Sequence, residues 1–137
     1  MTDLPSRRNS RGTSGERQET GRLGEQMAAR YLQSLGYAIV ETNYRTRFGE
    51  IDIVALDGDV LVFVEVRARH GRSFGLAEES LTPRKRERLV QLSECYLQAH
   101  PTSPPACRID VVAIALGSAG NADDLQLIKG AIVQGLA

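Results

Sequence analysis

The sequence predicts an α/β domain in which helices flank a mixed β-sheet. Two segments, residues 21–35 and 83–99, have the apolar spacing of amphipathic helices. Between them, residues 49–69 resemble the two strands of a hairpin, and residues 108–115 are nearly continuously apolar, as in strands covered on both faces. The order α-β-β-β-α-β suits 137 residues, which is about one domain.

The N-terminal residues 1–19 are polar, rich in Gly, Ser and Arg, and almost free of apolar side chains. Such a segment buries too little surface to offset its ordering entropy. We expect a disordered, mildly basic tail before a single domain of residues 20–137. A solvated leader and a weak nucleic-acid-binding arm are both compatible with this composition.

The first predicted helix runs from Gly21 to Leu35, and Gly36 is a typical C-terminal stop. Glu25 lies along the flank of its apolar stripe. A carboxylate early in a helix interacts well with the helix dipole. Spacing alone therefore leaves Glu25 open to a structural role or a site role.

A first strand is predicted for residues 37–44, residues 45–49 connect it to the hairpin, and Asp57-Gly58 is predicted as the hairpin turn. This turn pairs positions 55 with 60, 53 with 62, 52 with 63 and 50 with 65. One face is then entirely apolar and is predicted to be core; its residues are Ile51, Ile53, Ala55, Val60, Val62, Val64 and Val66.

The opposite face of the hairpin gathers Glu50, Asp52, Glu65 and Arg67 at the end far from the turn, beside Val54, Leu61 and Phe63. Asp52 and Glu65 become diagonal neighbours in this register. A slip of one residue would place Glu65 on the apolar face, and an unpaired buried carboxylate is costly enough to exclude that register.

The second predicted helix has Thr82 as its N-cap and Pro83 at its first position, and it should run to about Ala99. Leu89, Leu92 and Tyr96 are predicted to face inward. Its first turns carry a basic set that suits either a solvated face or phosphate contacts; the set is Arg84, Lys85, Arg86 and Arg88. Residues 70–75 form a predicted loop at the edge of the site, and residues 125–133 a short C-terminal strand.

Seventeen basic and seventeen acidic residues give zero formal net charge, so nucleic-acid binding would require a local patch. No apolar run approaches the roughly 18 residues of a membrane span, and no signal peptide is apparent. A cytoplasmic protein is expected. Cys95 and Cys107 lack metal-ligand spacing and are predicted to be reduced, buried thiols.

Two carboxylates on adjacent strands, Asp52 and Glu65, are suitable ligands for Mg²⁺ or Mn²⁺. Arg67 should point the same way as Glu65 and is placed to hold an attacking water or a phosphate. The same residue types also form ordinary cross-strand ion pairs, so a surface lattice of Glu50, Glu65 and Arg67 is an equally simple interpretation.

Several motifs, in order, resemble the bacterial YraN family of uncharacterised proteins. The motifs are Gly24-Glu25, Asn43-Tyr44-Arg45, Gly49-Glu50-Ile51-Asp52, Val62-Phe63-Val64-Glu65-Val66-Arg67, Phe74-Gly75 and Arg108-Ile109-Asp110-Val111. That family looks like the restriction-endonuclease superfamily, and within it most like archaeal Holliday-junction resolvases. The resemblance implies an endonuclease-like mixed sheet flanked by helices.

By resemblance, Glu25 is an outer acidic residue, Asp52 and Glu65 are metal ligands, and position 67 is the catalytic cation. The departure is Arg67, where the endonuclease pattern has Lys. Arg keeps the positive charge and can orient a phosphate bidentately, but its pKa is too high for it to act as a base.

The acidic cluster and the resemblance together favour a DNA endonuclease that depends on Mg²⁺ or Mn²⁺, with branched DNA as one candidate substrate. In this hypothesis the nucleic-acid contacts come from Arg69, Arg84, Lys85, Arg86 and Arg88. An alternative is a nucleic-acid-binding accessory protein that keeps the fold without cleavage, and a third is a protein-interaction domain. Resolvase analogy also suggests a homodimer.

Overall fold

The computed structural model describes residues 14–70, 81–118 and 121–132. Tail residues 1–13 and most of the loop predicted for residues 70–75 lie outside these ranges. The helices are α1 (Ser14–Ser34) and α2 (Pro83–Ala99), and the strands are β1 (Ala38–Thr46), β2 (Gly49–Asp57), β3 (Val60–His70), β4 (Cys107–Leu116) and β5 (Ala122–Ile132). The predicted α/β class and element order are confirmed, and β5 completes the order at the C-terminal end.

The five strands form one mixed sheet in the order β1-β2-β3-β4-β5. Only β3 and β4 pair in parallel; the other neighbours are antiparallel. Parallel strands need a long crossover connection, and α2 lies in the connection between β3 and β4. None of the described helices is long and apolar enough to cross a membrane.

Each face of the sheet has its own hydrophobic core. On one face, Ala28 and Leu32 of α1 cover Val62 and Val64 of β3 and their neighbours. On the other, α2 covers a cluster that includes the buried Val54, Leu61, Phe63, Leu89, Leu92, Tyr96 and Ile109. The buried β4 is thus covered on both sides, as predicted. The acid-bearing face of the hairpin is also core towards the turn, because α2 packs there, so the prediction of a single apolar face was incomplete.

Helix α1 begins at Ser14, within the stretch predicted as a disordered tail. It approaches β3 closely, since a Cβ atom at Gly24 would lie 2.5 Å from the Ala68 Cβ. Only glycine therefore permits this contact without a shift of the helix. This close approach of α1 to β3 also sets how near the neighbouring Glu25 lies to the sheet.

Helix α2 has the predicted bounds, and the Thr82 hydroxyl caps it by accepting a hydrogen bond from the Lys85 amide at 3.2 Å. Leu89, Leu92 and Tyr96 are buried, as predicted.

The predicted register of the β2–β3 hairpin was wrong by two residues. Asp57 pairs with Val60 and Ile53 with Val64, so the turn is Gly58-Asp59 rather than Asp57-Gly58. Gly58 has a φ of 63°, whereas Asp59 is not in the positive-φ region. A single positive φ at a leading glycine is typical of type II′ turns, which also match strand twist. Because the displacement is even, side chains near the turn keep their predicted faces.

Strand β1 is longer than predicted and includes Arg45 and Thr46, so the connection to β2 shrinks to Arg47-Phe48. The Thr46 hydroxyl accepts a hydrogen bond from the Phe48 amide at 2.9 Å and donates one to the Gly49 carbonyl at 3.0 Å. These two bonds hold the turn in one shape.

A polar network lies at the turn end of the hairpin. Asp110 has no exposed surface and accepts hydrogen bonds from Tyr37, Arg108 and the Gly130 amide. Arg108 also donates to Asp57 at 2.7 Å, and this hydrogen bond lowers the pKa of Asp57. Burial and the nearby Asp110 raise the pKa of Tyr37 to about 12. The Arg108-Ile109-Asp110 motif therefore ties β2, β4 and β5 to the end of α1. Cys95 and Cys107 form no disulfide, and both side chains are half-buried rather than buried as predicted.

Candidate functional site

The site is built where β2 changes face. Residues two apart in a regular strand face the same side, yet Ile53 packs in the α1-side core and Ile51 in the α2-side core. The prediction that grouped Ile51 with Ile53 was therefore wrong. The side chains of β2 therefore change from one face of the sheet to the other at Asp52.

The neighbouring strand β1 is distorted at the same level. Asn43 lies between the pairs Thr42–Ile53 and Tyr44–Ile51, and hence beside Asp52. Its φ of 54° is the one positive value at a non-glycine residue in the part of the chain that is described. Asn tolerates this left-handed conformation better than most residues, which explains its presence here.

The distortion brings the Asp52 carboxylate against β3. Backbone pairing between β2 and β3 ends at Ile53–Val64, and beyond it the Val66 amide donates a hydrogen bond to Asp52 Oδ2 at 2.8 Å. If the observed register is continued past Ile53, Asp52 lies directly opposite Glu65. The predicted register had instead made these two residues diagonal neighbours. The expected clustering of these two carboxylates is thus present, in a tighter arrangement.

Asp52 and Glu65 perturb each other's ionisation. Burial, followed by the charge of Glu65, raises the pKa of Asp52 to about 8, and the charge of Glu25 adds to the effect. Burial also raises the pKa of Glu65, although Arg67 and a hydrogen bond with Asp52 oppose the rise. Like charges held this close in a poorly solvated place favour sharing a proton or binding a cation.

Arg67 points to the same place as Glu65. Its Nη1 atom lies 3.6 Å from Glu65 Oε2, and the two side chains are only 16% and 21% exposed. This distance leaves the guanidinium without a close bidentate partner on Glu65. Glu50 instead pairs with Arg45 at 3.0 Å. Of the lattice of Glu50, Glu65 and Arg67 that was the alternative interpretation, the Glu65–Arg67 pair is therefore present, whereas Glu50 pairs outside it.

Glu25 reaches the site from α1. Its Oε1 atom accepts a hydrogen bond from Asn43 Nδ2 at 2.8 Å. Asn43 therefore links α1 to the place where β1 and β2 are both distorted, beside Asp52. Sequence reasoning missed Asn43 as a site residue; the available signal was an Asn, a residue that favours positive φ, at the end of a predicted strand.

The basic residues of α2 divide between two surfaces. Lys85 and Arg88 line a cavity of about 230 Å³ together with Gly49, Glu50, Glu65, Leu89 and Leu92. The Arg86 guanidinium instead donates to the Leu81 carbonyl at 3.2 Å. Arg86 also lines a separate open groove of about 860 Å³ between α2 and β5. Arg84 and Arg69 are exposed. The structure therefore brings Lys85 and Arg88 to the acidic pair and leaves Arg86 away from it.

Few side chains at this site could coordinate a metal ion. Within residues 14–70, 81–118 and 121–132, no three His, Cys, Asp or Glu side chains are grouped to hold an ion. Mg²⁺ is commonly bound through one or two carboxylates and keeps several waters, so the Asp52–Glu65 pair fits this mode. Burial is the main cause that raises the pKa of both groups, and a bound cation would offset the cost of their buried negative charge.

Comparisons with known proteins cover this whole region. The model of the uncharacterised protein family UPF0102 matches residues 24–114. A UPF0102 protein of Dehalococcoides mccartyi is 47% identical over 116 residues, covering 85% of this chain and 94% of the relative. A UPF0102 protein of Syntrophus aciditrophicus is 49% identical over 112 residues, covering 82% and 87%, and one of Herminiimonas arsenicoxydans is 47% identical over 116 residues, covering 85% and 88%.

Proposed function

The chain belongs to the uncharacterised protein family UPF0102, and we propose that it is a metal-dependent nuclease that hydrolyses phosphodiester bonds in DNA. The observation that carries the proposal is the Asp52–Glu65 pair, in which the distorted β2 holds Asp52 against β3. Lys85 and Arg88 of α2 line a cavity together with Glu65. The resemblance to archaeal resolvases favours branched DNA as the substrate.

In this proposal, Asp52 and Glu65 hold Mg²⁺ or Mn²⁺, with water as the remaining ligands. When bound, such an ion lowers the pKa of a coordinated water and stabilises charge on a phosphoryl oxygen. One carboxylate oxygen of Glu25 accepts a hydrogen bond from Asn43, and Glu25 contributes negative charge at the edge of the pair.

The cations bind the nucleic acid. Arg67 is half-buried beside Glu65, and its guanidinium can grip the scissile phosphate with two hydrogen bonds. Lys85 and Arg88 line the same cavity from α2 and would contact flanking phosphates, which sets the register of the backbone. Because Arg67 stays protonated, it binds and orients but removes no proton.

Cleavage assays on end-labelled linear, single-stranded and four-way branched DNA test the proposal. Wild type should cut at least one substrate with Mg²⁺ or Mn²⁺ and none with EDTA. Glu65→Gln keeps the shape of the side chain but loses its charge, so its rate should fall about a hundredfold or more, on the order of 2.7 kcal/mol. Glu94→Gln is the matched control, since Glu94 is exposed on α2 and lines the other groove. Equal rates for wild type and Glu65→Gln would refute the proposal.

A second candidate is a nucleic-acid-binding protein that does not cleave. The observation that favours it is Arg67, which stands where a nuclease pattern has Lys and lies next to Glu65. This candidate predicts salt-dependent binding that Arg88→Ala weakens, without turnover in either metal. Metal-dependent cleavage that Glu65→Gln abolishes would exclude it.

A further inference from the structure

The tip of the β1–β2 hairpin carries an aromatic ring that the fold does not bury. Phe48 is 39% exposed, in contrast to the buried Phe63 of β3. The Arg47 guanidinium lies 5.6 Å from the centre of the Phe48 ring. On the strand just before the turn, the Arg45 side chain is 82% exposed. The tip therefore carries an exposed aromatic ring with the Arg47 guanidinium beside it, and the exposed Arg45 nearby is paired with Glu50 at 3.0 Å.

This tip stands beside the acidic pair. Gly49 follows Phe48 directly and lines the same cavity as Glu65, Lys85 and Arg88. A Cβ atom at Gly49 would lie 3.8 Å from Leu92 of α2, so the base of the turn rests on that helix. A nucleic-acid strand with a phosphate at Lys85 and Arg88 would therefore run close to the tip that carries Phe48.

The tip is held in position. Thr46 pairs with Gly49 across the turn, and its hydroxyl bonds to both the Phe48 amide and the Gly49 carbonyl. Because these bonds hold the backbone of the turn, the turn loses little conformational freedom when the ring binds a flat ligand, which favours affinity.

We propose that the tip formed by Arg45, Arg47 and Phe48 is a stacking platform for an unpaired base of the nucleic acid. Proteins that bind single strands combine cationic tracks with exposed aromatic rings, because every base has a flat face that can stack. A continuous duplex keeps its bases stacked on each other and has none to offer. The inference rests on the proposed function for the identity of the ligand, and it narrows the substrate class to single strands and junctions with unpaired bases.

Binding in EDTA tests this platform without any cleavage. Fluorescence anisotropy compares a labelled single strand with a duplex of the same sequence. Phe48→Ala should weaken binding of the single strand about tenfold and leave the duplex nearly unchanged. Phe48→Trp should retain the preference, because a larger aromatic ring also stacks. Val40→Ala is the control, since Val40 is an exposed apolar residue at the other end of β1 and its loss should change neither affinity.

A strand with 2-aminopurine reports stacking directly, because stacking on an aromatic ring quenches its fluorescence. Quenching by wild type and Phe48→Trp that is lost in Phe48→Ala supports the platform. Equal affinity and quenching for wild type and Phe48→Ala would overturn it, while metal-dependent cleavage in the same preparation would leave the proposed function intact. Conversely, a selective loss in Phe48→Ala with no cleavage by wild type would support the platform and refute the nuclease.

Discussion

Asp52→Asn is expected to stabilise the metal-free protein at neutral pH, although it alters a proposed metal ligand. Asn retains a side-chain oxygen that can accept the hydrogen bond from the Val66 amide. It removes the charge that burial and Glu65 make unfavourable. The folded Asp52→Asn variant therefore keeps the hydrogen bond from the Val66 amide, and its residue 52 no longer carries a charge that Glu65 would repel.

The size of the effect follows from the pKa of Asp52, which rises from 3.8 to about 8 on folding. Between those two pH values the folded protein holds a proton that the unfolded chain releases, so stability falls as pH rises through the window. The linkage amounts to about 1.4 kcal/mol per pH unit, which gives a ceiling of about 4 kcal/mol at pH 7. Because Glu65 shares the proton, we expect Asp52→Asn to gain about 2 kcal/mol, or roughly 5–10 °C in Tm.

Thermal unfolding in EDTA at pH 4 and pH 7 measures this gain. It should be present at pH 7 and small at pH 4, where Asp52 is protonated in the folded protein and pH is close to the pKa of 3.8 that it has in the unfolded chain. Asp59→Asn, at an exposed position of the hairpin turn, should change little at either pH. Saturating Mn²⁺ should raise the Tm of wild type more than that of Asp52→Asn. A variant that is less stable than wild type at pH 7, or equally stabilised at both pH values, would refute the reasoning.

Three further predictions follow from other contacts. Arg67→Lys should increase metal-dependent cleavage in single-turnover assays, because Lys keeps the charge and can also transfer a proton; an unchanged or lower rate would contradict this role. Gly24→Ala should lower the free energy of urea unfolding by about 1–3 kcal/mol, because its Cβ atom would collide with Ala68. Gly21→Ala is the control: a Cβ atom there meets open space, so this variant should be neutral or stabilising. Asp110→Ala should cost about 3–5 kcal/mol in the same assay, because it removes a fully buried carboxylate that pairs with Arg108 and accepts hydrogen bonds from Tyr37 and the Gly130 amide. A loss below 1 kcal/mol would show that the network is dispensable.

The elements could be predicted because their signals are local. The cap at Thr82 and the apolar spacing of Leu89, Leu92 and Tyr96 are sufficient to define α2. The apolar run from Ile109 onward likewise requires cover on both faces of the sheet, and the cores under α1 and α2 provide it. Local propensity and burial point the same way in these segments, so no tertiary information was needed.

The register of the hairpin could not be predicted because two turns compete around Gly58. A glycine suits the second central position of a type I′ turn and the first of a type II′ turn, and the protein uses the latter. The two choices differ by two residues and leave side chains on the same faces. Because the displacement is an even number of residues, Asp52 and Glu65 were predicted to cluster although the predicted pairing was wrong.

The distortion at Asp52 depends on a neighbouring strand and was beyond local patterns. Ile51 can leave the α1-side core only because β1 is also distorted, through the positive φ of Asn43. The division of the basic residues was, by contrast, within reach of helical geometry. Lys85 and Arg88 are three residues apart and share a face, whereas Arg86 is rotated away from them.

Calorimetric titration of Mn²⁺ at pH 7 tests most directly whether the Asp52–Glu65 pair is a cation site. Performed in two buffers with different ionisation enthalpies, it measures both binding and proton release. We expect wild type to bind the ion and release up to about one proton from the pair, and Asp52→Asn to bind far more weakly with less release. Heats of dilution alone for wild type, or identical isotherms for wild type and Asp52→Asn, would contradict the account.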